Sequence, residues 1–125
     1  MIHTEGLTHI HFAVRDLDRS LRFYQQAFGM QELFRVEPDM VFLQTPAGHD
    51  CITLHADAGH ELEPGKSGGI AHFGFTLTGE STVPGAIAEV EAAGGSLVSR
   101  GEHSPGAPYA YVSDPDGYVI ELMGA

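Results

Sequence analysis

Alternating apolar and polar residues at positions 7–14 predict a strand near the start of the chain. One face of this strand is apolar: Ile10, Phe12 and Val14. The other face carries small or polar side chains: His9, His11 and Ala13. Because a period of two places alternate residues on opposite faces, the apolar face is expected to cover a core and the histidines to point away from it.

A helix is predicted directly after this strand. Residues 16–20 offer N-capping side chains, and Gly29 is typical of the residue that ends a helix. Between them, apolar residues recur at helical spacing: Leu21, Tyr24, Ala27 and Phe28. Strand-like segments follow at about 31–36, 40–45 and 51–55. The first half of the chain therefore predicts a strand, a helix and three further strands.

Residues 57–69 are rich in glycine and acidic side chains, break both periodicities and predict a linker. The order of elements then returns, with a strand at 70–77 and a helix at about 83–93. Thr82 is predicted to cap this helix, with Pro84 in its first turn and Gly94-Gly95 at its end. Further strands are predicted at about 96–100, 108–113 and 118–123.

This repeat predicts an α+β fold in which two βαβββ modules form a curved mixed sheet around a cup. The chain is interpreted as a single domain, with the first module at about 5–56 and the second at about 70–125. In each module the apolar face of the first strand must cover the helix, because the helix carries the matching apolar stripe. The opposite face, which bears His9 in one module and His72 in the other, is then the inside of the cup.

His9 and His72 occupy equivalent places in the repeat, about half the chain length apart. On the last predicted strand, Glu121 shares a face with Val119 and Met123. If that face also looks into the cup, two imidazoles and one carboxylate meet there and leave open positions on a divalent ion. Fe(II) suits such a set, and Zn(II), Mn(II) and Ni(II) accept similar ligands. The alternative is that both histidines are hydrogen-bonded pocket residues and Glu121 faces solvent.

Other side chains are candidates to line the cup. His11 faces inward one pleat beyond His9 and is interpreted either as an acid–base or ligand-supporting group or as a hydrogen-bonded pocket residue. Two later strands each present a face that would line a substrate chamber if it is concave: Cys51, Thr53 and His55 on one, Tyr109, Tyr111 and Ser113 on the other. An outward orientation stays open for His55, at a strand end. The remaining histidines are expected to be solvated: His3, His49, His60 and His103.

Charge and composition exclude several classes of function. The chain has 17 acidic and 6 basic residues, and its formal net charge of −11 argues against binding to nucleic acid or to anionic membranes. A single cysteine, Cys51, cannot form an internal disulfide, which fits a reducing compartment. No apolar run approaches the roughly 20 residues of a membrane helix, and the first residues lack the features of a signal peptide. A cytoplasmic location is expected.

Three segments carry recognisable motifs. The first runs from His9 to Tyr24 and continues in Phe28-Gly-Met30, the second is Ile70 to Phe75, and the third is Asp114-Pro-Asp-Gly-Tyr-Val-Ile-Glu-Leu122. Together they resemble the vicinal oxygen chelate superfamily, which contains glyoxalase I, bleomycin-resistance proteins, fosfomycin-resistance enzymes and extradiol dioxygenases. The resemblance spans essentially the whole chain, and its motifs are specific for the superfamily and the fold rather than for a reaction.

The resemblance implies a metal site. In metal-dependent members the ligands come from the first strand of each module and from the Glu of the closing motif, and the matching residues here are His9, His72 and Glu121. It also implies one divalent ion per site, and the set of two imidazoles and one carboxylate favours Fe(II). Small members usually form homodimers in which each site combines the first module of one chain with the second module of its partner.

Departures from the family pattern bear on the reaction. Glyoxalase I carries a fourth ligand, a Glu, where this chain aligns Thr53, and an Arg where it has Ala13, so both positions argue against that reaction. Fosfomycin-resistance enzymes share the three ligands and a Tyr that matches Tyr111, but a phosphonate requires a basic pocket and this chain has few bases. The potassium-binding loop of those enzymes is not evident in residues 99–108. Extradiol dioxygenases share the trio and the Tyr, although most are longer.

Three functions follow from these observations. The first is a metal-dependent dioxygenase or lyase that chelates neighbouring oxygens of a small substrate, with Tyr111 and His11 as proton donors or orienting groups. In this hypothesis Thr53, His55 and Tyr109 contact the substrate. The second is a dimeric drug-binding protein of the bleomycin-resistance kind, without catalysis; such proteins are acidic, but they generally lack the metal trio. The third is a pocketed scaffold that binds a regulatory ligand.

Overall fold

A computed structural model describes residues 1–3, 5–56, 63–65 and 70–124. The elements follow in chain order: β1 (Ile10–Ala13), α1 (Leu17–Phe28), β2 (Gln31–Val36), β3 (Met40–Gln44), β4 (Ile52–His55), β5 (Phe73–Thr76), α2 (Val83–Ala92), β6 (Ser96–Glu102), β7 (Pro108–Ser113) and β8 (Val119–Met123). This is the predicted strand–helix–three-strand order, twice over. The predicted linker at about 57–69 lies outside the described residues except for 63–65.

The strands form two four-stranded mixed sheets, one in each module. The first sheet has the order β1-β4-β3-β2 and the second the order β5-β8-β7-β6. In each sheet the first strand pairs in parallel with the last, and the remaining pairs are antiparallel. The α+β prediction of two βαβββ modules is confirmed.

Both helices begin at the predicted caps. The Asp16 side chain accepts the backbone N–H of Arg19 at 3.0 Å, and Gly29 ends α1 with a left-handed φ of 64°, which glycine adopts without steric cost. In α2 the Thr82 hydroxyl accepts the N–H of Gly85 at 3.1 Å. The large side chains that the helices bury are Phe23 and Tyr24 in α1 and Val83, Ile87 and Val90 in α2.

The two modules share one core. Phe12 of β1 contacts Phe73 of β5, with 5.7 Å between ring centroids, and Phe28 of α1 stacks on Phe75 at 4.3 Å. Aromatic pairs at these distances contribute beyond the area they bury. The apolar faces of β1 and β5 therefore meet the helices and each other, as the strand periodicity predicts.

Polar contacts join the closing motif of the second module to the start of α1. The Asp116 side chain is fully buried and accepts hydrogen bonds from the backbone N–H of Arg15, from the Arg15 and Arg19 guanidinium groups, and from the Ser20 hydroxyl. Arginine forms strong charge-assisted hydrogen bonds to carboxylates, so this buried charge is compensated. The turn before β8 is thereby fixed to the other module.

A second buried carboxyl group lies in the same turn. Tyr24 donates its hydroxyl to Asp114 Oδ2 at 2.8 Å, while Asp114 Oδ1 accepts three backbone N–H groups of the turn, those of residues 116, 117 and 118. Burial raises the pKa of the Asp114 carboxyl above its usual value, even though these hydrogen bonds oppose the shift. Burial and the neighbouring Asp114 also raise the pKa of Tyr24 well above its usual value.

The first strand of each module is shorter than predicted. β1 begins at Ile10, which pairs with Ile52, and β5 begins at Phe73, which pairs with Ile120. His9 and His72 therefore lie just before their strands and not within them. His9 comes two residues before His11, and His72 comes two residues before Gly74. The strand register defines which face of the sheet His11 and Gly74 occupy.

Candidate metal centre

A row of paired residues defines the open face of the second sheet. Gly74 of β5 and Tyr111 of β7 are both register partners of Glu121 in β8, so the three share one face. Tyr109 lies two residues before Tyr111 on that same face. The core lies on the other face, where Ala110, Val112, Ile120 and Leu122 are buried. Glu121 thus points away from the helices.

The contact between His72 and Glu121 is the centre of this face. Nε2 of His72 lies 3.3 Å from Oε2 of Glu121, whose side chain is only 12% exposed. Two ligands that bind one ion at about 2.1 Å, roughly at right angles to each other, lie about 3 Å apart. The spacing and the donor atoms of this pair therefore fit neighbouring ligands of a single divalent ion.

Tyr111 lies against the same pair. Its ring packs edge-on against the His72 ring, with centroids 4.9 Å apart. Partial desolvation, followed by the nearby Glu121 carboxylate, raises the pKa of the Tyr111 hydroxyl above its usual value. Tyr111 is therefore a neutral hydroxyl, able to donate a hydrogen bond beside the carboxylate.

His103 lies in a loop and its side chain is 53% exposed, as the sequence predicted. The sequence did not indicate its contacts: its Nε2 lies 2.6 Å from Oε1 of Glu121, and its ring stacks on Tyr109 at 4.1 Å. The turn after β6, in which the N–H of His103 donates to the carbonyl of Ala107, folds the residue over the sheet. Gly101 pairs with Tyr109, so the two share one face of the sheet. Extending the alternation of β6 from Gly101 by two residues would have placed His103 on that face as well.

His9 does not join His72 and Glu121 in a metal-binding group within one chain. Its side chain is exposed, and its Nδ1 lies 2.6 Å from the hydroxyl of Thr8. Among the described residues, no three His, Cys, Asp or Glu side chains come together in an arrangement that could hold a metal ion. The chain thus brings together two of the three predicted ligands.

The first sheet carries a second polar cluster. Nε2 of His11 lies 3.0 Å from Nδ1 of His55, and Nε2 of His55 lies 3.5 Å from Oδ2 of Asp39. His55 therefore shares the face of His11, and the outward alternative does not hold. Burial, then the neighbouring His55 and His9, lowers the pKa of His11. Asp39 was missed from the sequence, although it directly precedes Met40, the register partner of His55.

Thr53 occupies the same place in the first sheet as Glu121 does in the second. Thr53 pairs with His11, and Glu121 pairs with Gly74. His11 and Gly74 each come two residues after the candidate histidine of their module. Thr53 is fully buried, and its hydroxyl has no hydrogen-bond partner among the described residues. At this position the first module has no carboxylate.

The rest of the first open face is aromatic rather than basic. Phe42 pairs with both Thr53 and Phe34, and the two phenyl rings stack at 4.2 Å, with Phe34 53% exposed. The two arginines on the described strands, Arg35 and Arg100, pair with the core residues Val41 and Ala110 and so belong to the opposite faces. The sequence did not single out Phe34, since its orientation depends on a register shift between residues 32 and 34.

Comparison with known proteins identifies the family. Residues 6–122 match the model for the Glyoxalase/Bleomycin resistance protein/Dioxygenase superfamily. The chain belongs to this superfamily. Within the described part of the chain, neither helix is long and apolar enough to cross a membrane.

Related sequences carry the names of two kinds of enzyme. The chain is 32% identical over 124 residues to a "Probable lactoylglutathione lyase" of Vibrio parahaemolyticus, covering 94% of this chain and 88% of that protein. It is 27% identical over 118 residues to "Glutathione transferase FosA" of Serratia marcescens, covering 94% and 79%. A "Putative lactoylglutathione lyase" of Brassica oleracea is 30% identical over 125 residues, but the chain spans only 43% of its length.

Solved structures show the same fold. A glyoxalase-related enzyme from Fulvimarina pelagi superposes with a TM-score of 0.77 at 26% identity, covering 98% of this chain and 89% of that one. The fosfomycin resistance protein FosX from Listeria monocytogenes also gives a TM-score of 0.77, at 22% identity, covering 98% and 95%.

Proposed function

We propose that this protein is a divalent-metal-dependent enzyme of the dioxygenase or lyase type that acts on a small molecule. The observation that carries the proposal is the contact between His72 Nε2 and Glu121 Oε2 on the open face of the second sheet. A largely buried carboxylate is costly unless a cation or hydrogen bonds compensate it. Glu121 contacts two imidazoles besides the hydroxyl of Tyr111, and imidazoles suit coordination of a metal ion better than a structural salt bridge.

The third ligand in this proposal is His9 of a second copy of the chain. His9 makes no metal-binding group with His72 and Glu121 of its own chain, and the superfamily resemblance implies sites shared between protomers. We propose a homodimer with two sites, each joining His9 of one protomer to His72 and Glu121 of its partner. Fe(II) suits two imidazoles and one carboxylate, and Zn(II), Mn(II) or Ni(II) could replace it.

The bound ion would act as a Lewis acid towards two neighbouring oxygens of the substrate. Tyr111, held neutral beside Glu121, is placed to donate a hydrogen bond or a proton to the substrate. His11, hydrogen-bonded to His55, supplies a second polar group on the open face of the first sheet. In the proposed site Thr53, His55 and Tyr109 line the chamber around these groups.

Lactoylglutathione lyase activity is the second candidate, because several relatives carry that name. Two positions favour a different reaction. Thr53 stands where a fourth ligand would come from the first module, and Ala13 offers no charge to the carboxylates of glutathione. The arginines of the strands also lie on the faces opposite the chamber, so an uncharged substrate fits better than an anionic one.

Metal analysis of protein purified without chelators tests the proposal. We expect close to one divalent ion per chain, lost in His72→Ala and Glu121→Gln and retained in the control His49→Ala, which changes an exposed histidine outside the site. A wild-type protein that stays metal-free after incubation with Fe(II), Mn(II) and Zn(II) would refute it.

Substrate assays then separate the two reactions. The loaded enzyme is offered catechols, the thiohemiacetal of methylglyoxal and glutathione, and fosfomycin. Turnover of catechols supports the first candidate, and efficient isomerisation of the thiohemiacetal establishes the second.

A further inference from the structure

Glu121 has two carboxylate oxygens, and each faces a different histidine. Oε2 lies 3.3 Å from Nε2 of His72, and Oε1 lies 2.6 Å from Nε2 of His103. The two distances differ in kind. A separation of 3.3 Å suits two ligands of one ion, whereas 2.6 Å is a short hydrogen bond in which the imidazole N–H donates to the carboxylate.

The ring of His103 is held in the orientation this hydrogen bond needs. It stacks on Tyr109 with an interplanar angle of 18°, and Tyr109 packs against Tyr111 at 5.3 Å. Tyr111 in turn contacts His72. Four rings thus follow one another around Glu121, from His72 to His103, and restrict how the carboxylate can rotate.

The backbone supports the same placement. His103 directly follows β6, and its N–H donates to the carbonyl of Ala107 at 3.1 Å in the turn that leads to β7. Tyr109 and Tyr111 are the strand residues beneath it. The side chain remains 53% exposed, so the hydrogen bond to Glu121 and the stacking on Tyr109 hold it in place, and burial contributes less.

We propose that His103 is a positioning residue for the metal site: it binds Oε1 of Glu121 and leaves Oε2 free to bind the ion beside His72. The inference rests on the proposed metal dependence. Hydrogen bonds to a ligating carboxylate fix its orientation, and their loss typically weakens metal binding about 10–100-fold. In this role Nε2 of His103 carries the proton that is donated to Oε1, so that nitrogen has no lone pair to offer the ion.

Titration of chelator-treated, full-length protein with Co(II) tests this role. We expect His103→Ala to weaken Co(II) binding about 10–100-fold, while His103→Gln, whose amide N–H can donate to Oε1, recovers much of the affinity. His49→Ala is the matched control and should bind as the wild type does. Circular dichroism and thermal unfolding check that each variant is folded.

X-ray absorption of the Co(II)-loaded proteins separates positioning from ligation. The number of imidazole ligands should be the same in wild type and His103→Ala; one fewer in the variant would make His103 a ligand and overturn the inference. Unchanged affinity in His103→Ala, or a Gln variant as weak as the Ala variant, would also overturn it. These results leave the proposed function intact, whereas failure of the wild type to bind Co(II), Fe(II), Mn(II) or Zn(II) removes both.

Discussion

Thr53 and Glu121 occupy equivalent positions in the internal repeat. Thr53 pairs with the residue two positions after His9, and Glu121 pairs with the residue two positions after His72. One is a buried hydroxyl without a hydrogen-bond partner among the described residues, and the other is a carboxylate in contact with two imidazoles. The first module therefore supplies one ligand to the proposed site and the second module supplies two, so the site has three protein ligands instead of four.

Thr53→Glu should add the missing carboxylate. In the metal-free protein we expect a loss of stability of about 1–3 kcal/mol or more, because a charge enters a fully buried position. Addition of Zn(II) or Ni(II) should raise the melting temperature of this variant more than that of the wild type. Thr53→Val is the control: it removes an unpaired hydroxyl at nearly constant volume, and its stability should be equal to or above that of the wild type.

Sites shared between protomers predict complementation. His9→Ala and Glu121→Gln should each abolish metal binding, but a mixture unfolded and refolded together should recover about a quarter of the wild-type metal content, since half of the dimers are mixed and each has one intact site. Metal analysis after refolding gives the fraction. No recovery from the mixture, with each variant dimeric and folded, would place all ligands within one chain.

The buried Asp114 predicts a pH dependence of stability. Its pKa is raised in the folded protein, so the folded state binds this proton more tightly than the unfolded state does. The contribution to the free energy of unfolding is therefore greatest below the unfolded pKa of about 3.9 and is lost as the pH rises through the folded value. Thermal unfolding of wild type and Asp114→Asn across the acidic range measures this contribution. The stability of Asp114→Asn relative to that of the wild type should increase with pH and then level off above the folded pKa.

Tyr24→Phe removes the only side-chain donor to Asp114 among the residues that the structure describes. The three backbone N–H groups on Oδ1 remain, so the expected loss is about 1–3 kcal/mol, the cost of one buried hydrogen bond to a charged group. Denaturant unfolding gives the value. Equal stability of the two proteins would mean that a water molecule replaces the phenol hydroxyl.

The stacked pair of Phe34 and Phe42 predicts a preference for apolar or aromatic substrates. Phe34→Ala should raise KM for such substrates several-fold, with little change in metal content, because loss of an aromatic contact costs about 0.5–1.5 kcal/mol. Leu33→Ala, which removes a similarly exposed apolar side chain outside this row, is the control. A KM that rises equally in both variants would contradict a specific role for Phe34.

Local patterns predicted much of this structure, since local interactions determine those parts of it. The caps at Asp16, Gly29 and Thr82 follow from the hydrogen bonds that helix ends require. The period of two placed His72 on the face away from the core but left two orientations open for Glu121, which the pairing of Glu121 with Gly74 decides. The caps and the face of His72 need only the residue and its near neighbours in the sequence.

What the sequence missed depends on contacts between distant segments. His103 reaches Glu121 only because the turn after β6 folds over the sheet, and Asp39 reaches His55 only through the pairing of β3 with β4. Phe34 faces Phe42 because of the register shift in β2. Strand alternation could have placed His103 on the face of Tyr109, but each of these contacts also requires a turn geometry or a strand register that the local pattern leaves undetermined.

The buried carboxyl groups of the closing motif have a consequence for how the protein unfolds. Asp114 and Asp116 precede β8, the strand that holds Glu121, yet their partners Tyr24, Ser20 and Arg19 belong to α1. Opening either module alone would take the Arg19 and Ser20 donors from Asp116 and the Tyr24 donor from Asp114, which would keep only the backbone N–H groups of its own turn. Heat or denaturant should therefore disrupt both modules in one cooperative transition, and hydrogen exchange should show equal protection of amides in α1 and β8.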